Sequence, residues 1–127
     1  MKQLGRQHFD GGTDAPRQAR WWMAELLRRN GLDHELHDVM VMVSELATNA
    51  VKHGGGGFEV GAFVDADHLR VEVTDTDPNI PQVQWVPAGA TSGRGLLIVE
   101  TLSDAWGVTA REGGGKAVWF ELQSNRN

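Results

Sequence analysis

Glu45, Asn49 and His53 follow one another at intervals of four residues, near the end of a helical pattern with an apolar stripe. Side chains at this spacing lie on one face of an α-helix, so the carboxylate and the carboxamide stand one turn apart. A carboxylate can take a proton from a hydroxyl group, and an amide oxygen is a ligand that Mg²⁺ accepts. The pair predicts a place where a metal is held and a proton is removed. The alternative is an ordinary solvated helix face.

Two features of the same segment favour the chemical interpretation. The pair lies beside the apolar stripe and not opposite to it, so it should border the core. The run Gly54–Gly57 then ends the helix and leaves room for a ligand. In this interpretation the Asn49 oxygen coordinates Mg²⁺, and Glu45 orients and deprotonates a nucleophile that attacks a γ-phosphate.

Asp75 closes a strand pattern and is the second candidate. Its carboxylate could accept a hydrogen bond from the exocyclic amine of adenine. Guanine has no amine at that position, so the contact would select ATP over GTP. The alternative is a solvated aspartate that forms a turn.

The third candidate is the segment Gly93-Arg94-Gly95-Leu96, which opens a helical pattern. Helix N-termini bind phosphates through free backbone amides and the positive end of the dipole. Glycines remove side chains that would block the phosphate, and Arg94 could add positive charge. The alternative is an ordinary glycine-rich helix start.

Two other motifs do not predict a site. Gly113–Lys116 resembles part of a phosphate-binding loop, but Ala117 and a strand pattern follow it, so a hairpin turn is predicted. His34 begins a short stretch similar to a phospho-accepting histidine motif, and we interpret that stretch as surface. His34 and His37 could share a helix face, but the histidines otherwise lack metal-ligand spacing.

The periodicity of apolar residues predicts the order β-α-α-β-β-loop-α-β-β. Thr13 or Asp14 can cap the first helix, and Gly31 should end it after Asn30. Helices and strands are grouped, which favours an α/β (α+β) domain with one mixed sheet covered by helices on one face. The predicted strands are Gly5–Phe9, Phe58–Val64, Leu69–Thr74, Trp106–Arg111 and Ala117–Leu122, and the predicted helices are about Pro16–Asn30, Asp33–His53 and Gly93–Ser103.

Length and composition limit the class of protein. A chain of 127 residues corresponds to one domain, and its net charge of −5 disfavours direct nucleic-acid binding. The absence of cysteine excludes disulfides and thiolate metal sites. No apolar run approaches the roughly 20 residues that span a bilayer, and the first residues lack a secretion signal. We therefore expect no membrane association and a cytoplasmic location.

Glu45…Asn49, Asp75 and Gly93-x-Gly95-Leu96 resemble, in order and spacing, the N, G1 and G2 boxes of the GHKL ATPase superfamily. The residues within these boxes are most similar to those of the anti-sigma factor serine kinases and the related stand-alone ATP-binding regulators. The similarity extends from about Phe9 to Leu122. The segments that carry this closer similarity are Ser44–Gly54, Gly93–Leu96, Trp106-Gly107 and Gly115–Phe120.

The resemblance implies one ATP-binding domain over residues 1–127, a two-layer Bergerat-type sandwich with a mainly antiparallel sheet. ATP and Mg²⁺ are the implied cofactors. By position, Glu45 would be the catalytic base, Asn49 the Mg²⁺ ligand and Asp75 the adenine reader. Further implied nucleotide contacts are Gly93, Arg94, Gly95 and Leu96 near the phosphates and Lys52 at a basic position that can face phosphate, with a lid at about Pro78–Ser92.

The resemblance also implies a function and partners. Members of this branch bind a sigma factor and phosphorylate an anti-anti-sigma protein on serine, usually as homodimers. One box departs from the superfamily pattern Asp-x-Gly-x-Gly, because Asp77 and Asn79 stand at the glycine positions, with Pro78 between them. This departure leaves a second hypothesis, an ATP-binding regulatory module without significant phosphate transfer. The catalytic domain of a histidine kinase and a plain α/β protein remain further alternatives.

Overall fold

A computed structural model of the chain describes residues 1–53, 56–76, 95–112 and 114–123. Their elements follow the predicted order of strands and helices, and the α+β fold class is confirmed. The elements are β1 (Lys2–Phe9), α1 (Ala15–Arg29), α2 (Leu36–His53), β2 (Phe58–Val64), β3 (His68–Asp75), α3 (Gly95–Leu102), β4 (Ala105–Ala110) and β5 (Lys116–Gln123).

The described strands form one five-stranded sheet in the order β1-β2-β3-β5-β4. All of its pairings are antiparallel, so the predicted mainly antiparallel sheet is wholly antiparallel over these strands. β1 lies at one edge, as predicted, and β4 lies at the other. β5 lies between β3 and β4, which places the end of β3 beside the start of β5.

One face of the sheet packs against the three helices and forms the core. Alternate residues of each strand point to this face, because successive side chains of a strand point to opposite sides. Burying each large side chain contributes roughly 1.5–3 kcal/mol to folding. Core residues from the strands include Phe58, Val60, Val71, Val73, Val118 and Phe120, and those from the helices include Met23, Leu27, Val39, Val43, Leu46 and Val99.

The other face of the sheet carries charged side chains. The Arg70 guanidinium donates hydrogen bonds to Glu72 at 2.9 Å and to Glu121 at 2.8 Å. It also lies 4.1 Å from the centre of the Trp119 ring, in a cation–π arrangement. This face is polar and half-buried, which accounts for the alternating pattern of the strands.

The ends of the first helix agree with the prediction in position but not in every contact. Asp14 occupies the N-cap position, yet its side chain makes no capping hydrogen bond. Instead, the Ala15 amide donates to the Gly12 carbonyl at 3.1 Å. Asn30 is the C-cap, and Gly31 follows it in a left-handed conformation with φ of 66°.

The largest shifts from the predicted starts are those of α2 and β1. α2 begins at Leu36 and not at about Asp33, since the chain forms a turn there in which the Leu36 amide donates to the Asp33 carbonyl at 3.3 Å. His34 consequently precedes the helix and does not share a helix face with His37. β1 begins at Lys2, earlier than the predicted Gly5, because its pairing with β2 continues past an irregularity between Gln3 and Gly5.

Within the described residues, no helix has the combination of length and apolarity that crossing a membrane requires.

Candidate functional site

Asp75 and Lys116 form a buried ion pair where two neighbouring strands meet. Asp75 ends β3, Lys116 begins β5, and the antiparallel register places them directly opposite each other. The Lys116 Nζ donates to Asp75 Oδ1 at 3.1 Å and to Oδ2 at 3.3 Å. The side chains are only 6% and 7% exposed for Asp75 and Lys116, respectively.

The pair lies on the face of the sheet that the helices cover. Asp75 continues the alternate residues Val71 and Val73 of β3, and Lys116 continues the alternate residues of β5 that include Val118. These valines belong to the core. An acceptor and a donor therefore stand together at the end of the apolar layer between sheet and helices.

Glycine permits the turn that brings Lys116 to this position. Gly115 has φ of 87°, a left-handed conformation that L residues rarely adopt. A Cβ atom at Gly115 would lie 2.3 Å from the Asp75 carbonyl oxygen, so the backbone approach requires the absence of a side chain. The Arg111 amide donates to the Gly115 carbonyl at 3.0 Å and closes the β4–β5 hairpin. The predicted hairpin turn is confirmed.

Glu45 and Asn49 lie on α2 where the prediction places them, at the border of the core. Both are half-buried, while their helix neighbours Met42 and Leu46 are buried. Lys52 lies on the same helix and is exposed. A carboxylate, an amide and an ammonium group are thus available on one side of α2.

Glu45 also lines a groove of about 390 Å³ between α1 and α2. Asn49, Asp75 and Lys116 are not among its lining residues. Glu45 is therefore accessible from the groove while lying one turn from Asn49. The other lining residues are Arg20, His37, Met40, Val41 and Ser44.

The third predicted segment lies only partly within the described residues. Gly95 begins α3, and the Leu96 side chain is buried in the core, 4% exposed. Its side chain contributes to packing, which leaves its backbone for any contact with a ligand. Gly93, Arg94, the altered box at 77–79 and the predicted lid at 78–92 lie outside the described residues.

The sequence analysis did not identify Lys116 as the partner of Asp75. It considered Lys116 only as the end of a false phosphate-loop motif. The useful signal is that Asp75 ends one strand and Lys116 starts another, so they become partners once β3 and β5 are neighbours. That adjacency depends on strand order, which the local pattern does not contain.

The available groups fit a nucleotide with Mg²⁺. Mg²⁺ usually takes one or two protein oxygens and completes its shell with phosphates and water. The half-buried Asn49 amide can supply such an oxygen. At the end of β3, the Lys116 ammonium group holds the Asp75 carboxylate in position, and a carboxylate is a group that can accept a hydrogen bond from a base amine.

The chain is similar to several known proteins. A family model described as "Histidine kinase-like ATPase domain" matches residues 13–122. An uncharacterized protein of Streptomyces coelicolor is 37% identical over 74 residues, which cover 54% of this chain and 70% of that protein. The anti-sigma F factor of Clostridium beijerinckii is 27% identical over 104 residues, which cover 72% of this chain and 73% of that protein.

A solved structure is similar over nearly the whole chain. It contains the RsbU and RsbW domains of Rv1364c from Mycobacterium tuberculosis and matches with a TM-score of 0.70 and 25% identity. The match covers 96% of this chain and 33% of that longer chain.

Proposed function

Because the chain belongs to the histidine kinase-like ATPase domain family, we propose that it is an ATP-dependent, anti-sigma factor-like regulator that phosphorylates a protein partner on serine or threonine. ATP binding is implied by the family. The transfer reaction rests mainly on one observation: Glu45 is a half-buried carboxylate that lines an open groove one helical turn from Asn49. Nucleotide binding alone would not require that carboxylate.

In the proposed reaction, a hydroxyl oxygen of the partner attacks the γ-phosphorus of ATP. A new P–O bond forms, the bond from the γ-phosphorus to the bridging oxygen breaks, and ADP leaves. Glu45 accepts the proton of the attacking hydroxyl group. The groove beside Glu45 supplies a route by which a hydroxyl on another protein could reach the carboxylate.

The remaining residues bind and orient the nucleotide. Asp75 would accept a hydrogen bond from the adenine amine. Asn49 would hold Mg²⁺, which neutralises phosphate charge when it is bound. Lys52 and Arg94 would add positive charge near the phosphates, and the backbone of Gly93, Gly95 and Leu96 would offer amides at the start of α3.

The proposed partners follow from similarity to the anti-sigma F factor. A sigma factor would be the bound target, and an anti-anti-sigma protein would be the phosphate acceptor. A homodimer is part of the same proposal. Light scattering on the purified chain, with and without ATP·Mg²⁺, measures that assembly directly.

The decisive experiment compares wild type with Glu45→Ala. Calorimetry should give dissociation constants for ATP·Mg²⁺ that agree within about threefold between the two proteins. The reason is that Glu45 is assigned to proton transfer and not to nucleotide binding. Phosphate transfer to native-extract proteins, read by mass spectrometry of phosphoserine and phosphothreonine, should fall by about 10²–10⁴-fold in the variant. Glu25→Ala, at an exposed glutamate of α1, is the matched control and should transfer normally.

Each result has a defined meaning. Equal transfer by wild type and Glu45→Ala removes the base assignment. Failure of the wild type to bind ATP removes the whole proposal.

The second candidate function is an ATP-binding module that signals by conformation, without significant transfer. The sequence of the altered box favours it, because Asp77 and Asn79 stand where the superfamily motif has glycines, with Pro78 between them. Tight ATP binding by the wild type, with no phosphate gained by any extract protein, would select this candidate.

A further inference from the structure

We propose that β4 is the surface through which the chain pairs with a second copy of itself, β4 against β4 in antiparallel orientation. This inference rests on the homodimer included in the proposed function and assigns the strand that would form it. Among the strands that the structure describes, β4 has a neighbour on one side only and forms one edge of the sheet. The pairing would join two five-stranded sheets into one continuous sheet.

The two edges of the sheet differ in charge and in regularity. β1 carries Lys2 and Arg6, and its register with β2 is irregular between Gln3 and Gly5. Charged side chains and irregular pairing are features by which proteins prevent an edge strand from accepting another strand. β4 has the sequence AWGVTA, without charge or proline, and its register with β5 is continuous. β4 therefore lacks these two protections, whereas β1 has both.

Alternate residues of β4 direct their backbone groups to the open edge. The Arg111 amide, just beyond β4, donates to the Gly115 carbonyl at 3.0 Å, in the same register as the β4–β5 pairs. In an antiparallel pair, residues that bond to the neighbouring strand alternate with residues that do not. The N–H and C=O groups that point away from β5 are accordingly those of Trp106, Val108 and Ala110.

These three positions are self-complementary about Val108. A two-fold axis at this residue would place Val108 opposite Val108 of the second copy, and Trp106 opposite Ala110 of the second copy. Each residue could then exchange both backbone hydrogen bonds with the residue opposite. The largest of the three side chains would face the smallest. Because a symmetric contact brings identical strands together, a strand without charge also avoids repulsion between like charges.

The side chains of Trp106 and Val108 also favour an added strand. Their partners in β5 are Phe120 and Val118, so both lie on the helix-covered face of the sheet. Both pack against the core but are only half-buried, and Ala110 is exposed. A second strand would cover the open side of this apolar row and remove its surface from water.

The first arm of the test uses two charge variants at the proposed axis. Wild type should sediment at equilibrium with twice the mass of one chain. Val108→Lys and Val108→Glu should each raise the dissociation constant of the dimer about tenfold or more, because like charges then face each other. An equal mixture of the two variants should form a dimer again, since opposite charges then meet. Gln7→Lys, which adds a charge to the exposed β1 edge, is the control and should dimerise as wild type does.

The second arm identifies the surface by amide hydrogen exchange, measured by NMR. The amides of Trp106, Val108 and Ala110 should exchange about tenfold or more slowly in wild type than in Val108→Lys at the same concentration, because pairing protects them. The amides of Gly107 and Thr109 should remain protected in both proteins, since they bond to β5. The wild-type pattern decides the matter even where a variant does not fold.

Several results would overturn the inference. They are a wild type that stays monomeric up to about 1 mM, a wild-type dimer in which the three outward amides exchange freely, and a mixture of the two charge variants that stays monomeric. A monomer that binds ATP and transfers phosphate overturns this inference and leaves the proposed reaction. A dimer that pairs through β4 but binds no ATP overturns the proposed reaction and leaves this inference.

Discussion

Lys116 and Asp75 place opposite charges 3.1 Å apart in a position with almost no solvent exposure. Each charge depends on the other, because a buried ion without its counter-ion keeps its desolvation cost and loses its attraction. The two side chains should therefore behave as one unit in folding.

This coupling gives a prediction for stability at the residue scale. Lys116→Met should lower the free energy of unfolding by about 3 kcal/mol, because it leaves a buried carboxylate without its cation. The double variant Asp75→Asn/Lys116→Met should lose less than the sum of the single variants. Urea denaturation of the four proteins measures the cycle. Additive losses would contradict the coupling.

For individual residues, the sequence predicted a position correctly where the local helical pattern determines it. Glu45 and Asn49 could be placed beside the core because helical periodicity defines which side chains border an apolar stripe. Lys116 could not be placed, because its surroundings come from a strand more than forty residues away, and a local pattern does not contain that pairing.

The β4–β5 hairpin is the element on which the position of Lys116 depends. Gly114 and Gly115 in this hairpin differ in the atoms that an added Cβ would contact. Gly114 has φ of 108° but has no atom within 4 Å of an added Cβ, whereas a Cβ at Gly115 would overlap the Asp75 carbonyl oxygen. Backbone conformation restricts both positions, and close approach restricts only Gly115.

The two glycines form a matched pair for a prediction. Gly114→Ala should cost about 1 kcal/mol from backbone strain alone. Gly115→Ala should cost more, about 3 kcal/mol, because the hairpin must also move away from Asp75. Thermal unfolding of both variants measures the difference. Equal losses would mean that the contact between Gly115 and β3 is not a constraint.

Among the elements, the sequence predicted every described helix and strand, and the largest errors are at the starts of α2 and β1. The apolar stripe of α2 defines its existence, but the residues at 33–35 have no comparable pattern to separate a turn from a first helical turn. β1 is longer than predicted because its edge pairing with β2 continues over residues that lack alternation.

For the whole molecule, a ligand that binds only the folded chain must stabilise it. At a free ATP·Mg²⁺ concentration a hundred times the dissociation constant, the added stability is about 2.7 kcal/mol. A melting experiment should therefore show a rise in the midpoint with ATP and MgCl₂. Chelation with EDTA should reduce that rise, since Asn49 is proposed to hold the nucleotide through the metal. GTP at the same concentration should give a smaller rise, and an equal one would contradict selection at the base.

The order of the strands has a consequence for biosynthesis. β5 is the last described strand along the chain, yet it occupies an interior place in the sheet, between β3 and β4. β4 therefore leaves the ribosome before the strand that joins it to the rest of the sheet. A nascent chain interrupted before Lys116 would lack an inner strand of the sheet and not an edge strand. The backbone hydrogen-bonding groups of β3 that pair with β5 would then be exposed. Completion of this domain should accordingly be a late, all-or-none event in translation.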